Sequence, residues 1–168
     1  RRLARRVRQA PYRITANQAF AQVIQECAAP RPSSTDSWIN GEIRALFIAL
    51  HNQGHAHSIE AWEGEQLVGG LYGVSLGGAF FGESMFSRAD DASKIALVHL
   101  VARLRMGGFT LLDAQFQTAH LAQFGTEEVP RTLYKQMLAV AVELPAVFIA
   151  EPDPTALAAE VEAIRARG

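Results

Sequence analysis

The sequence predicts an α+β domain in which a mixed, mostly antiparallel sheet is flanked by helices. Between residues 58 and 82 the chain reads as three successive strands. They are joined by the turns Glu63-Gly64-Glu65 and Leu76-Gly77-Gly78, which is the pattern of a meander. On both sides of it, apolar residues recur at helical spacing. The 168 residues are 49% hydrophobic and 20% charged, enough for one packed core and unlike a disordered chain. No internal repeat or low-complexity linker divides the sequence. It is therefore read as one domain: a basic, helical part at 1–54, a sheet-and-helix core at 55–150, and a terminal helix at 151–168.

Thr15 and Gln18 have the spacing of a capping box, and Ala19, Phe20, Val23 and Ile24 supply a helical stripe behind it. That helix ends near Cys27, because Pro30, Pro32 and Ser33-Ser34 cannot continue it. A second helix spans about 41–53, with Ile43, Leu46, Phe47 and Leu50 at helical spacing and Gly54 as its stop. Strands follow at 58–63, 66–75 and 79–82. Asp90 or Asp91 then caps a long helix lined by Ile95, Leu97, Val98, Val101 and Leu104, and Gly107-Gly108 ends it. A strand at 109–116, a short helix near 118–124 and a strand at 126–129 come next. Pro130 opens a helix that ends before Pro145, 146–150 reads as a strand, and Asp153-Pro154 opens the last helix. Meander, helix, strand, helix, strand is the order of the Gcn5-related N-acetyltransferase fold.

Charge and composition narrow the setting. No apolar run approaches the roughly 20 residues needed to span a bilayer, and no apolar core follows the basic start, so neither a membrane helix nor a secretory signal is expected. A lone cysteine, Cys27, excludes an internal disulfide and a CxxC site, which suits a cytoplasmic protein. The net charge of −1 conceals an asymmetry. Arg1, Arg2, Arg5, Arg6, Arg8 and Arg13 precede the first acid, Glu26, leaving 10 basic against 17 acidic residues in the remainder. On a helix Arg1, Arg5 and Arg8 share a face, with Arg2 and Arg6 beside it. Such a cluster attracts a phosphate backbone, and it also fits a plain solvated helix.

Two segments carry candidate chemistry. In Thr110-Leu111-Leu112-Asp113-Ala114-Gln115-Phe116, strand alternation puts Asp113 and Gln115 on one face and Leu112 and Phe116 on the other. A carboxylate in an apolar strand is expensive unless it is hydrogen-bonded or used, so a catalytic role stands beside loop capping or pairing with an arginine. In Gly82-Glu83-Ser84-Met85-Phe86-Ser87-Arg88, expected between meander and long helix, the acetyltransferase fold would hold coenzyme A pyrophosphate on a glycine-rich turn. Here the segment offers a carboxylate, hydroxyls and an arginine instead. Arg105-Met106-Gly107-Gly108 lies at the wrong end of the helix and reads as a C-cap. His51, His55 and His57 are poorly spaced for a metal, since Gly54 breaks the helix that would align them, and no metal is expected. Ser84, His120 and Asp113 lack the second glycine of a nucleophile elbow. Trp38 and Trp62 read as core residues, with stacking on a ligand open to Trp38.

Several runs together resemble the leucyl/phenylalanyl-tRNA–protein transferase family. They are His55-Ala56-His57-Ser58-Ile59-Glu60-Ala61-Trp62-Glu63, Leu67-Val68-Gly69-Gly70-Leu71-Tyr72-Gly73-Val74 and Phe81-Gly82-Glu83-Ser84-Met85-Phe86-Ser87-Arg88. In order after them come Asp91-Ala92-Ser93-Lys94, Leu112-Asp113-Ala114-Gln115 and Glu128-Val129-Pro130-Arg131. The resemblance covers about 5–138 and implies transfer of leucine or phenylalanine, methionine less well, from aminoacyl-tRNA. The acceptor is the N-terminal amine of a protein beginning with Arg or Lys, which is thereby marked for degradation through the N-end rule.

The resemblance implies an acetyltransferase-like catalytic domain, a cytoplasmic location, Leu-tRNA and Phe-tRNA as partners, and no cofactor or metal. It makes Asp113 and Gln115 the catalytic pair, with Glu83 near the transferred amino acid and acceptor. Leu71, Phe80, Leu100, Leu104 and Leu112 become the pocket for the transferred side chain, with Ser84, Met85 and Phe86 also on the substrate side. Trp38 meets the terminal adenosine, and Arg1, Arg2, Arg5, Arg6 and Arg8 meet the acceptor stem. Family members usually begin with a smaller N-terminal domain, which the sequence is expected to lack. The alternatives are an acyl-coenzyme A-dependent N-acetyltransferase, or a truncated tRNA-binding module without activity.

Overall fold

The computed structural model describes residues 2–29, 39–114 and 125–167. Along the chain lie α1 (Arg2–Gln9), β1 (Arg13–Ala16), α2 (Phe20–Ala28), α3 (Gly41–Asn52), β2 (Ala56–Glu63), β3 (Gln66–Leu76) and β4 (Ala79–Ser87). They are followed by α4 (Ala92–Met106), β5 (Leu111–Ala114), α5 (Arg131–Val142) and α6 (Pro154–Arg167). The sheet order is β1-β2-β3-β4-β5, antiparallel through β4, with β5 parallel to β4. The α4 helix makes the crossover that a parallel neighbour requires. An α+β domain with a mixed, mostly antiparallel sheet is therefore what the chain forms.

Both faces of the sheet are covered. Leu71 and Tyr72, adjacent on β3, point to opposite sides and anchor separate cores. On Leu71's side, Ile59 and Phe80 pack against Ala96, Leu97, Leu100 and Leu104 of α4. On Tyr72's side, Ala56 and Phe86 meet Phe20, Val23, Ile24 and Cys27 of α2. A third cluster joins Val7 of α1 to Ile95 and Val98 of α4, with Val161 and Ile164 of α6 packed on it. Close approach of α4 to the sheet depends on Gly69, where an added Cβ would lie 2.5 Å from the Ala92 Cβ. No helix among the described residues is long and apolar enough to cross a membrane.

Several sequence expectations change. Thr15 is not a helix cap but lies in β1, a strand inside the part expected to be helical. The α2 helix begins at Phe20 without a side-chain cap from its own flank. The amide at its start, Ala19 N–H, donates instead to the Glu60 carboxylate of β2 at 3.2 Å. That partner is remote in sequence, which hides the arrangement from a local pattern. Asp91 does precede α4, but its carboxylate pairs with Lys94 at 2.8 Å rather than capping. By contrast Asn40 caps α3 through Ile43 N–H at 2.9 Å, and Asp153 caps α6 through Ala156 N–H at 2.8 Å.

The β4 strand runs five residues past its expected end, so Gly82 to Ser87 is strand rather than a junction loop. Residues 126–129 form no strand and are mostly exposed. Residues 146–150 form none either. Their apolar alternation serves packing, with the Phe148 ring stacked 4.1 Å from the ring of His57, while only isolated bonds such as Val147 N–H to Gly107 O hold the backbone. The expected helix near 118–124 lies outside the described residues.

Candidate active site

The site develops where β4 and β5 part. Among the described residues β5 pairs only with Ala79, Phe80, Phe81 and Gly82, with Asp113 opposite Phe81. From Glu83 onward, that edge of β4 has no ladder partner among them. On its other edge β4 bulges at the same point: Gly82 pairs with Gly73 and Ser84 with Tyr72, leaving Glu83 as the extra residue. Bulges re-aim side chains and occur beside functional sites. Gly73 makes this one feasible, since a Cβ there would lie 2.3 Å from the Phe81 carbonyl oxygen.

Glu83 senses the Asp113 charge at this opening. Burial raises the pKa of Glu83 and the Asp113 charge raises it further. On the far side of β5, Asp113 Oδ2 accepts a hydrogen bond from the Tyr134 hydroxyl of α5 at 2.6 Å. That bond, with some desolvation, pushes the phenol up to about 12. Asp113 and Tyr134 line a cleft of about 670 Å³ together with Leu112, Ala114, Gly125 and Met137. Near Glu83 the Tyr72 phenol is wholly buried, and its oxygen has no hydrogen-bond partner among the described residues. Desolvation raises its pKa, and Cys27 and Glu83 add to the rise.

The expected apolar pocket assembles in part. Leu71, Phe80, Leu100 and Leu104 are buried in one cluster, with Leu112 and Met85 packed against it. A narrow recess opens among Leu71, Met85, Leu100, Leu112 and Ala114. Ser84 is buried, whereas Phe86 belongs to the opposite core with Tyr72 and Phe20. Gln115, Trp38 and His120 lie outside the described residues. So does Arg1, and of Arg2 only the backbone is described, in α1. Arg5 and Arg8 are exposed on α1. Arg6 is half-buried, with Nη2 donating to Tyr12 Oη and Asp90 O, both at 3.4 Å.

The histidines have other employment. His51 Nδ1 lies 2.8 Å from Ala56 O, and its ring stacks on Phe20. His57 bridges Asn17 and Ser75 at 3.0 and 3.2 Å. Among the described residues no His, Cys, Asp or Glu cluster has the geometry of a metal site.

Sequence reasoning missed Tyr134 and Tyr72. Tyr134 lies 21 residues from Asp113, and nothing in its local pattern separates it from other residues of an amphipathic helix. Tyr72 lies in one of the family-like runs, but only burial reveals that its oxygen has no partner among the described residues.

Comparison with known proteins bears on what this cleft serves. The family described as leucyl/phenylalanyl-tRNA protein transferase matches residues 1–139. A leucyl/phenylalanyl-tRNA–protein transferase of Afipia carboxidovorans is 59% identical over 164 residues, covering 97% of this chain and 72% of the relative. Its counterpart in Phenylobacterium zucineum is 62% identical over 150 residues, 89% of this chain and 68% of the relative. One from Rhodopseudomonas palustris is 57% identical over 157 residues, with coverages of 94% and 68%.

Proposed function

The chain belongs to the leucyl/phenylalanyl-tRNA–protein transferase family, and from that premise we infer that it transfers leucine or phenylalanine from aminoacyl-tRNA to the N-terminal Arg or Lys of an acceptor protein. The observation that best supports the site is the meeting of Asp113 and Glu83 at the open end of the β4–β5 pair, beside an apolar recess.

The chemistry asks little beyond positioning. An aminoacyl ester is already activated, so the step needs no nucleotide, and the acceptor amine, with a reference pKa of about 7.7–8.0, is partly neutral near pH 7. Its nitrogen attacks the ester carbonyl carbon, forming the C–N bond and placing negative charge on the carbonyl oxygen. Collapse breaks the C–O bond, and the ribose oxygen leaves with the proton the amine gives up. Asp113 orients Gln115, whose side-chain carbonyl holds the attacking amine, and orientation of this kind supplies much of the rate. Glu83 attracts the cationic acceptor terminus. Leu71, Phe80, Leu100, Leu104, Leu112 and Met85 receive the transferred side chain, whose apolar burial favours leucine and phenylalanine.

The connectivity from meander through α4 to parallel β5, with β4 parting from β5 beyond Gly82 among the described residues, supports an acetyltransferase-like ancestry for the domain. Arg5 and Arg8, exposed on α1, supply a phosphate-binding face of the kind an acceptor stem needs.

Incubation with labelled Leu-tRNA and a peptide beginning with Arg tests the proposal. Label should enter the peptide, and Asp113→Asn and Gln115→Ala should each lower transfer by 100-fold or more, on the order of one lost transition-state contact. Full transfer by both variants would remove Asp113 and Gln115 from the mechanism. Label entering from acetyl-coenzyme A instead would replace the donor. Arg5→Ala with Arg8→Ala should weaken tRNA binding and flatten its salt dependence.

A further inference from the structure

We propose that Tyr134 is a positioning residue for the transfer reaction, holding the Asp113 carboxylate in its working orientation through the hydroxyl of a helix outside the sheet. The inference rests on the reading of Asp113 as part of the reacting centre.

Three observations carry it. First, the bond is short and specific: Tyr134 Oη donates to Asp113 Oδ2 at 2.6 Å, and both residues line the same cleft. Second, among the described residues β5 is the last strand of the sheet, with α5 beside it, and none of them offers a further strand on that side to fix the Asp113 side chain. A carboxylate with a free χ torsion presents either oxygen, and one phenol donor removes that ambiguity. Oδ2 is taken, and Oδ1 remains outside the bond. Third, α5 is otherwise lightly anchored. Leu133, Met137 and Val140 are exposed, whereas Tyr134 is half-buried and turns its hydroxyl to Asp113. At the opposite end of α5, Gly78 N–H bonds Ala141 O at 2.7 Å. Anchored at its C-terminal end, α5 places its half-buried phenol on the one carboxylate of β5.

The alternative is that Tyr134 merely ties α5 to the sheet. The two roles part in their kinetics. A tether lost in Tyr134→Phe lowers thermal stability and leaves the active fraction catalytically intact. A positioning donor lost in the same variant lowers kcat by roughly 10- to 100-fold, the scale of a misplaced catalytic group, with KM for aminoacyl-tRNA little changed.

The test measures transfer from labelled Leu-tRNA to an Arg-initiated peptide for the parent, Asp113→Asn and Tyr134→Phe. A fourth protein carries 3,5-difluorotyrosine at 134, which preserves shape and donor but makes the phenol more acidic. Expected is a kcat loss with little change in KM for Tyr134→Phe. The fluorinated protein should keep near-parent activity at neutral pH and lose it at high pH, where its phenol ionises beside Asp113. If Tyr134→Phe keeps the parent's kcat while Asp113→Asn is inactive, the positioning role is overturned and the site reading survives. If Asp113→Asn is itself fully active, the site reading falls first. Should Tyr134→Phe fail to fold, the fluorinated protein decides: a parent-like alkaline profile overturns the proposal.

Discussion

Thr15 Oγ1 donates to the Glu60 carboxylate at 2.5 Å, joining the edge strand β1 to its neighbour through a fully buried acid. Glu60 also accepts from Ser58 Oγ at 2.5 Å and from Ala19 N–H at 3.2 Å, while Thr15 accepts from the Trp62 indole at 2.8 Å. A buried carboxylate is tolerable because each donor is satisfied by it and it by them. Its charge also opposes the desolvation that lowers the pKa of the buried Arg103 guanidinium. Removing the acid strands three donors at once. Glu60→Ala should destabilise the fold by about 3–4 kcal/mol, and Glu60→Gln by about 2, since one acceptor becomes a donor facing a donor. Chemical denaturation measures both, and amide exchange in α2 should quicken first because its N-terminal amide loses its cap.

Gly73 and Glu83 form a second linked pair. An alanine at 73 would drive its methyl into the Phe81 carbonyl and the Phe80 ring, at 2.3 and 2.4 Å. Relief requires β3 and β4 to separate at the bulge that presents Glu83. Gly73→Ala should therefore cost about 2–3 kcal/mol and reduce transfer by more than the unfolded fraction explains. Gly41→Ala is the control. Nothing lies within 4 Å of the added methyl, so stability should hold or rise by a few tenths of a kcal/mol. Equal transfer losses in the two variants would break the link between bulge and site.

Acid should weaken the protein through two histidines. Burial depresses His57 to about 4, with His51 adding to the effect. Burial likewise depresses His99 to about 4, helped by Arg103. Unfolded, both titrate near 6.5, so between pH 6.5 and 4 the unfolded chain binds more protons than the folded one. Stability thus falls as pH drops through that window and levels off below it. Each unit of pKa separation is worth up to about 1.4 kcal/mol, and partial solvent access reduces this to roughly 3–5 kcal/mol for the pair. Denaturation midpoints from pH 7 to 4 test it. His57→Gln, which can still bridge Asn17 and Ser75, should flatten the slope by about half.

Much of this architecture was legible because it is local. Hairpin glycines and period-two apolar runs announced β2 and β3, and Gly54, Gly107 and Asp153 marked helix ends within a turn of where they act. What failed was what depends on distant partners. Thr15 and Gln18 mimic a capping box, but the acid that serves α2 comes from a strand some 40 residues on. Residues 146–150 have strand-like alternation because Phe148 must cover His57, with no ladder behind it. The β4 strand was cut short because the bulge at Glu83 interrupts the alternation that identifies strands. At the site, sequence supplied Asp113 and Glu83 through motif and resemblance. The effect of the Asp113 charge on Glu83 and the bond from the Tyr134 hydroxyl arise only when β4, β5 and α5 meet.

Glu83 offers the sharpest test of how stability is exchanged for function. Its folded pKa lies above the ordinary 4.5 because burial and the Asp113 charge both penalise a second anion there. A carboxyl so raised contributes most to stability when protonated, below the unfolded pKa, and that contribution is lost as pH rises through the folded value. At neutral pH the ionised acid is thus a strained element, as active-site groups often are. Glu83→Gln, matching its shape without charge, should raise the melting temperature at pH 7 by about a degree or two and leave it unchanged near pH 4. The same variant should lose affinity for an Arg-initiated peptide, because the cation that offsets the Asp113–Glu83 repulsion no longer has its second partner. Binding of that peptide to the parent should release protons near Glu83's raised pKa, as the cation draws the carboxyl back into its ionised form. Calorimetric titration in buffers of differing ionisation enthalpy detects that release. A parent that binds without proton exchange, or a Glu83→Gln protein that melts lower at pH 7, would show that Glu83 bears no such strain.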